Sequence, residues 1–136
     1  MLAPVGRALA AAELPILRAH GLSMWGYVVL SRLAEEPVRT QAALAQAIGA
    51  DKTRIIADLD ELQDRGLIRR EPDPADRRVR LVSLTAKGER VRAAAQAAIQ
   101  ARENRLLARL PAADRRAFLR SLEFLAGLDP AEIADP

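Results

Sequence analysis

The stretch Leu59–Gly88, LDELQDRGLIRREPDPADRRVRLVSLTAKG, changes its periodicity twice. Ile55, Leu59 and Leu62 recur at steps of four and three, the spacing of one helix face. Gly66 closes that helix. Leu67–Glu71 then reads as a strand, Pro72–Asp76 as a turn, and Arg78–Leu84 as a second strand. On the second strand Val79, Leu81 and Ser83 share one face, with Arg78, Arg80, Val82 and Leu84 on the other. Val79 and Leu81 are expected to pack against the helices. Thr85 starts the next helix.

Two short helices precede the hairpin. Thr40 caps Gln41–Ile48, which points Leu44 and Ile48 inward. Gly49 allows a left-handed turn, and Asp51 caps Lys52–Arg65. Two helices around a glycine-containing turn form a helix-turn-helix, and the hairpin behind them makes it a winged helix. Further upstream, Met1–Arg18 reads as a helix interrupted by Pro15 and ended by Gly21. Ser23 caps Met24–Glu35, with Trp25, Val28, Val29 and Leu33 on one face, and Val38-Arg39 is a short link. Downstream, Ala86–Leu110 is a long helix with a stripe of Val91, Ala94, Ala98, Ala101 and Leu110, and with Ile99, Leu106 and Leu107 beside it. Pro111 opens a further helix through Leu125, and Asp129–Pro136 reads as a frayed tail.

The expected fold is therefore mainly α with a small β-hairpin wing. One domain spans 1–136, with the DNA-binding lobe at 23–85 and dimerisation helices at 1–22 and 86–128. The terminal helices carry more apolar surface than so small a domain can cover. A two-fold dimer buries it most economically.

Composition narrows the chemistry. With 136 residues, half of them hydrophobic, the chain can build an apolar core from Leu, Ile, Val and Ala. The absence of cysteine excludes thiol catalysis, disulfides and peroxide sensing through a sulfenic acid. One histidine, without grouped carboxylates, argues against a zinc site, and no cofactor is expected. No nucleophile–base pair or phosphate-cradling loop appears, so an enzyme is not expected. No apolar run reaches membrane-spanning length, and Arg7 and Glu13 come too early for a secretory signal. A cytoplasmic location follows as an expectation.

The charge pattern points to double-stranded DNA. The net charge of +3 is modest, but its distribution is uneven. Asp51–Gly66 holds three basic and five acidic residues, so the recognition helix is not itself a basic patch. Arg69, Arg70, Arg77, Arg78 and Arg80 outnumber Glu71, Asp73 and Asp76 in the wing. Lys52, Thr53 and Arg54, at the start of the recognition helix, are candidates for base or phosphate contacts. Arg39, Thr40 and Gln41 stand where the preceding helix can meet a phosphate. A hairpin of this length can carry an arginine into a narrow minor groove. Non-specific architectural binding and a winged helix used for protein contacts are the competing functions.

From Leu59 to Gly88 the pattern LxxLxxRGLIRREPDPxDRRVRLVxLTxKG closely resembles the winged-helix signature of the MarR (multiple antibiotic resistance regulator) family. The resemblance implies a homodimeric transcriptional regulator, usually a repressor, that binds a pseudo-palindromic operator and releases it on binding a small effector. It also implies that Arg78 enters the minor groove while Asp76 pairs with it, and that Arg77 contacts phosphate or turns outward. The family's effectors, often aromatic or hydrophobic, occupy a crevice beside the DNA-binding lobe, for which His20, Trp25 and Val28 are the candidate lining.

Overall fold

The computed structural model describes residues 2–134. They form α1 (Leu2–Ala19), α2 (Met24–Glu35), α3 (Gln41–Ile48), α4 (Lys52–Asp64), β1 (Ile68–Pro72), β2 (Arg80–Leu84), α5 (Ala86–Leu107), α6 (Ala112–Ala126) and α7 (Pro130–Ala134). The expected mainly helical fold with one hairpin wing is the observed one. The chain divides into two compact units, one ending at Ile99 and the other beginning at Gln100.

In the first unit the local chemistry of each helix end is visible. Ser23 Oγ accepts from Gly26 N, Thr40 Oγ1 from Ala43 N, and Asp51 Oδ1 from Thr53 N and Arg54 N. These side chains satisfy amides that a helix cannot pair internally. Gly49 lies in the left-handed region (φ 68°), which lets the chain reverse sharply between α3 and α4. Pro15 lies inside α1, which continues through it as one helix rather than two pieces. The core gathers Leu17, Leu30, Leu44, Ile55, Leu59, Leu67, Ile68 and Val82. The inward set expected for α4 is the observed one.

Three expectations about packing in this unit need correction. First, Val38 is not merely a link. It bridges β2, with Val38 N donating to Val82 O at 2.9 Å and Val82 N to Val38 O at 2.8 Å. β2 therefore has a partner on each edge, and Val82, fully buried, faces the helices, whereas Leu81 and Val79 are only half-buried. Second, α2 buries Gly26, Val29, Leu30 and Leu33, leaving Trp25 and Val28 half-buried. Third, the face of α5 within the first unit that is buried is Gly88, Ala95 and Ile99, with Val91 partly so; Ala94 is exposed. An alanine-rich helix offers several nearly equivalent stripes, so its sequence alone does not select one.

The hairpin pairs Ile68 with Leu84, Arg70 with Val82 and Pro72 with Arg80. Cross-strand partners share a face, so Arg70 lies on the same side as buried Val82. At its base, Thr85 Oγ1 donates to Gly66 O at 2.7 Å and accepts from Gly88 N at 2.9 Å. A Cβ on Gly88 would lie 2.0 Å from Leu67 O, so only glycine lets α5 start this close to β1.

In the second unit, α6 exposes Phe118, Leu119, Leu122, Phe124 and Leu125. The expected frayed tail is instead a short helix. Asp129 Oδ1 accepts from Ala131 N and Asp129 N donates to Glu132 Oε2, both at 2.8 Å, a reciprocal cap. Met1, and the Asp135-Pro136 end of the expected tail, lie outside the described residues.

Candidate nucleic-acid interface

α3, α4 and the wing bound an open groove of about 580 Å³. Thr40, Gln41, Lys52, Arg78 and Arg80 from the expected contact set line it, together with Gln63 and Arg70. Lys52, Thr53 and Arg54 are all exposed at the start of α4. Two amides there are already taken by the Asp51 carboxylate, whose pKa they hold below the ordinary value. Asp51 is thus a helix cap that also engages the Thr53 side chain, and Lys52 and Arg54 extend beside it from the exposed start of α4. Asp58 lies further along the helix, where burial and then Glu61 raise its pKa.

The wing tip is built around two aspartates. Asp73 is buried; its Oδ1 accepts from Ala75 N at 2.8 Å and its amide donates to Val79 O at 2.8 Å. Its Oδ2 lies 3.2 Å from both Nε and Nη2 of Arg39, which aims an exposed arginine from the α2–α3 link. Asp73 organises the turn, a role that the sequence reading missed; the Asp-x-Ala spacing of an Asx-turn was the available signal. Asp76 holds Arg78 in a fork. Arg78 Nε donates to Oδ1 at 3.1 Å and Nη2 to Oδ2 at 3.3 Å, while Arg78 N also donates to Oδ1 at 3.1 Å. Hydrogen bonds from the Arg78 side chain first, and from its backbone amide next, lower the pKa of Asp76. The Arg78 side chain is 91 % exposed, so its aim is set by a neighbour and not by burial. Arg77 and Arg80 are exposed beside it.

Arg70 does not belong with these probes. By its place in the sequence it counts with the wing arginines that face Glu71, Asp73 and Asp76; it turns inward instead, with 17 % of its side chain exposed. Its guanidinium donates to Asp60 and Gln63 of α4 and, at 3.0 Å, to Gln41 of α3. The alternation Ile68–Arg70–Pro72 carried that signal, since Ile68 is a core residue.

The candidate effector residues lie elsewhere. His20 Nδ1 is 2.9 Å from Ile16 O; a carbonyl only accepts, so Nδ1 carries the proton in this bond. His20, Trp25 and Val28 are each half-buried. Among the described residues no group of three or more His, Cys, Asp or Glu side chains could hold a metal ion, and no helix is long and apolar enough to cross a membrane.

Comparison with known proteins agrees with this geometry. The family model described as "MarR family" matches residues 20–79. The transcriptional regulator HosA of Escherichia coli O111:H- is 38 % identical over 93 residues, covering 68 % of this chain and 69 % of that protein. Two solved structures each share 31 % identity with the chain. The MarR family protein Rv2887 of Mycobacterium tuberculosis, in complex with DNA, superposes with a TM-score of 0.77 over 91 % of this chain and 93 % of that one. CouR of Rhodococcus jostii RHA1, bound to p-coumaroyl-CoA, gives 0.72 over 94 % and 90 %. The winged helix-turn-helix, the forked arginine at its tip and these likenesses lead to one conclusion: the chain belongs to the MarR family of transcriptional regulators.

Proposed function

We propose that this protein is a homodimeric repressor that binds a pseudo-palindromic operator in double-stranded DNA and releases it when a small effector binds. The observation that carries the reading is the Asp76–Arg78 fork, which holds a 91 % exposed guanidinium at the tip of the hairpin. Lys52, Thr53 and Arg54 stand at the start of α4, the end that a recognition helix brings to base edges. Arg39, Thr40 and Gln41 then meet backbone phosphate. Arg78 enters the minor groove, where the potential is most negative, with Arg77 and Arg80 on the adjacent phosphates. A relative of similar fold, Rv2887, has been solved in complex with DNA, which supports DNA as the partner.

The dimer rests on residues 1–22 and 86–128. In support, Leu2, Val5, Phe118, Leu122 and Phe124 are all exposed in the single chain. The effector reading draws on the CouR ligand and on one feature of α2. Ser31 Oγ is buried without a partner, one turn from Val28, and a polar group of a bound molecule there would satisfy it. His20, Trp25 and Val28 form the rest of that lining, and an aromatic acid or hydrophobic compound is the expected class. The protein acts in the cytoplasm, as a regulator and not as an enzyme.

Selection from randomised duplex DNA tests the reading. The expected product is a two-fold-related motif with half-site centres about one helical turn apart. Recovery of bound DNA without a motif favours architectural binding, and no recovery favours a protein-contact module.

A further inference from the structure

Arg70 is the one wing arginine that is mostly buried, and it joins three separate elements. From β1 its Nε donates to Gln63 Oε1, its Nη2 to Asp60 Oδ1 and its Nη1 to Gln41 Oε1, the last at 3.0 Å. A guanidinium has five donors and no acceptor. Each glutamine must therefore present its oxygen to Arg70 and turn its NH2 group away. Gln41 and Gln63 both line the groove that also contains Lys52, Arg78 and Arg80. Asp60 meanwhile offsets the charge of Arg70, so the free cations of the groove are other residues.

We infer that Arg70 is a positioning residue for DNA recognition. It fixes the spacing between wing, recognition helix and α3, and it orients the Gln41 amide so that its N–H groups donate to a DNA phosphate at the start of α3. This rests on the proposed DNA-binding function. A lysine cannot replace it, because an ammonium is a single point and cannot reach three acceptors in the plane of a fork. The donor that meets the DNA is a neutral amide, so its contact releases no counterion and its removal leaves the salt slope unchanged.

The test compares wild type, Arg70→Lys, Arg70→Ala, Gln41→Leu and Arg70→Ala/Gln41→Leu on the operator recovered by selection, over a range of salt concentrations. Thermal unfolding of each variant sets the temperature at which all are folded. Both Arg70 variants are expected to lose about tenfold in operator affinity, the scale of a charge-assisted hydrogen bond. The slope of log K against log salt should not change, and the double variant should lose little more than either single one. A slope lower by about one for Arg70→Ala overturns the inference, because Arg70 would then itself neutralise a phosphate. Unchanged affinity of the folded Arg70 variants, with only a lowered melting temperature, overturns it too and leaves a purely structural brace. Additive losses in the double variant overturn the route through Gln41. Absence of operator binding by the wild type is a separate result, since it removes the DNA-binding function itself.

Discussion

The tip and the base of the wing each hold an arginine against an aspartate, and they use the pair in opposite ways. At the tip, Asp76 and Arg78 are two residues apart on one turn, and the arginine is almost wholly in solvent. At the base, Arg70 crosses from β1 to Asp60 on α4 and is largely enclosed. A local pair on a turn aims a charge outward without restraining anything else. A pair between elements spends its charge on holding those elements together. An arginine count for the hairpin cannot separate these roles; strand register can, because it puts Arg70 on the face of Val82.

Substitutions at base and tip should therefore differ in what they remove. The largest effect is expected at the base. Ile68 is buried, and Ile68→Ala should cost about 2–5 kcal/mol of stability, read by denaturant unfolding. A cost under about 1 kcal/mol would mean that the hairpin base is not part of the core. Gly88→Ala comes next. Its Cβ must displace Leu67 O, and overpacking of this kind costs about 1–3 kcal/mol. A neutral result would show that α5 can move freely away from β1.

At the tip, stability and binding should part company. Arg78→Ala should leave stability within about 0.5 kcal/mol while lowering operator affinity about tenfold and the salt slope by about one. The smallest effect is on the order of the tip itself. The carboxyl of Asp76 has its pKa lowered by Arg78, so the paired form persists from neutral pH through the ordinary aspartate range. The contribution of the pair is lost only as pH falls through that depressed value, where protonation removes the acceptor charge. The Arg78 Nε chemical shift should follow this order, holding steady at mildly acidic pH and moving only below the ordinary aspartate range. A shift change already near neutral pH would contradict the fork.

Much of the lobe was legible in its residues, for physical reasons that can be named. Ser23, Thr40 and Asp51 marked helix starts because each can bond an otherwise unpaired amide, and all three do so. The pairing of Asp76 with Arg78 was legible only through the resemblance to the MarR wing, and the turn holds the two in that pair. Long-range pairings were less visible. The bridge between Val38 and Val82 joins residues 44 positions apart, and nothing local at Val38 announces it. Asp73 likewise meets Arg39 across 34 positions. In α5 the repeated alanines suggested a stripe through Ala94, whereas packing buries Ala95 and Ile99 instead.

In the proposed division of labour the exposed arginine of the tip reads DNA and the enclosed arginine of the base braces the lobe. Hydroxyl-radical footprinting of the selected operator with wild type and Arg78→Ala separates the two roles. The variant, bound at saturating concentration, should lose protection in the minor groove flanking each half-site and keep protection around the major groove faced by α4. An identical footprint for both proteins would contradict it, since the wing tip would then lie off the DNA.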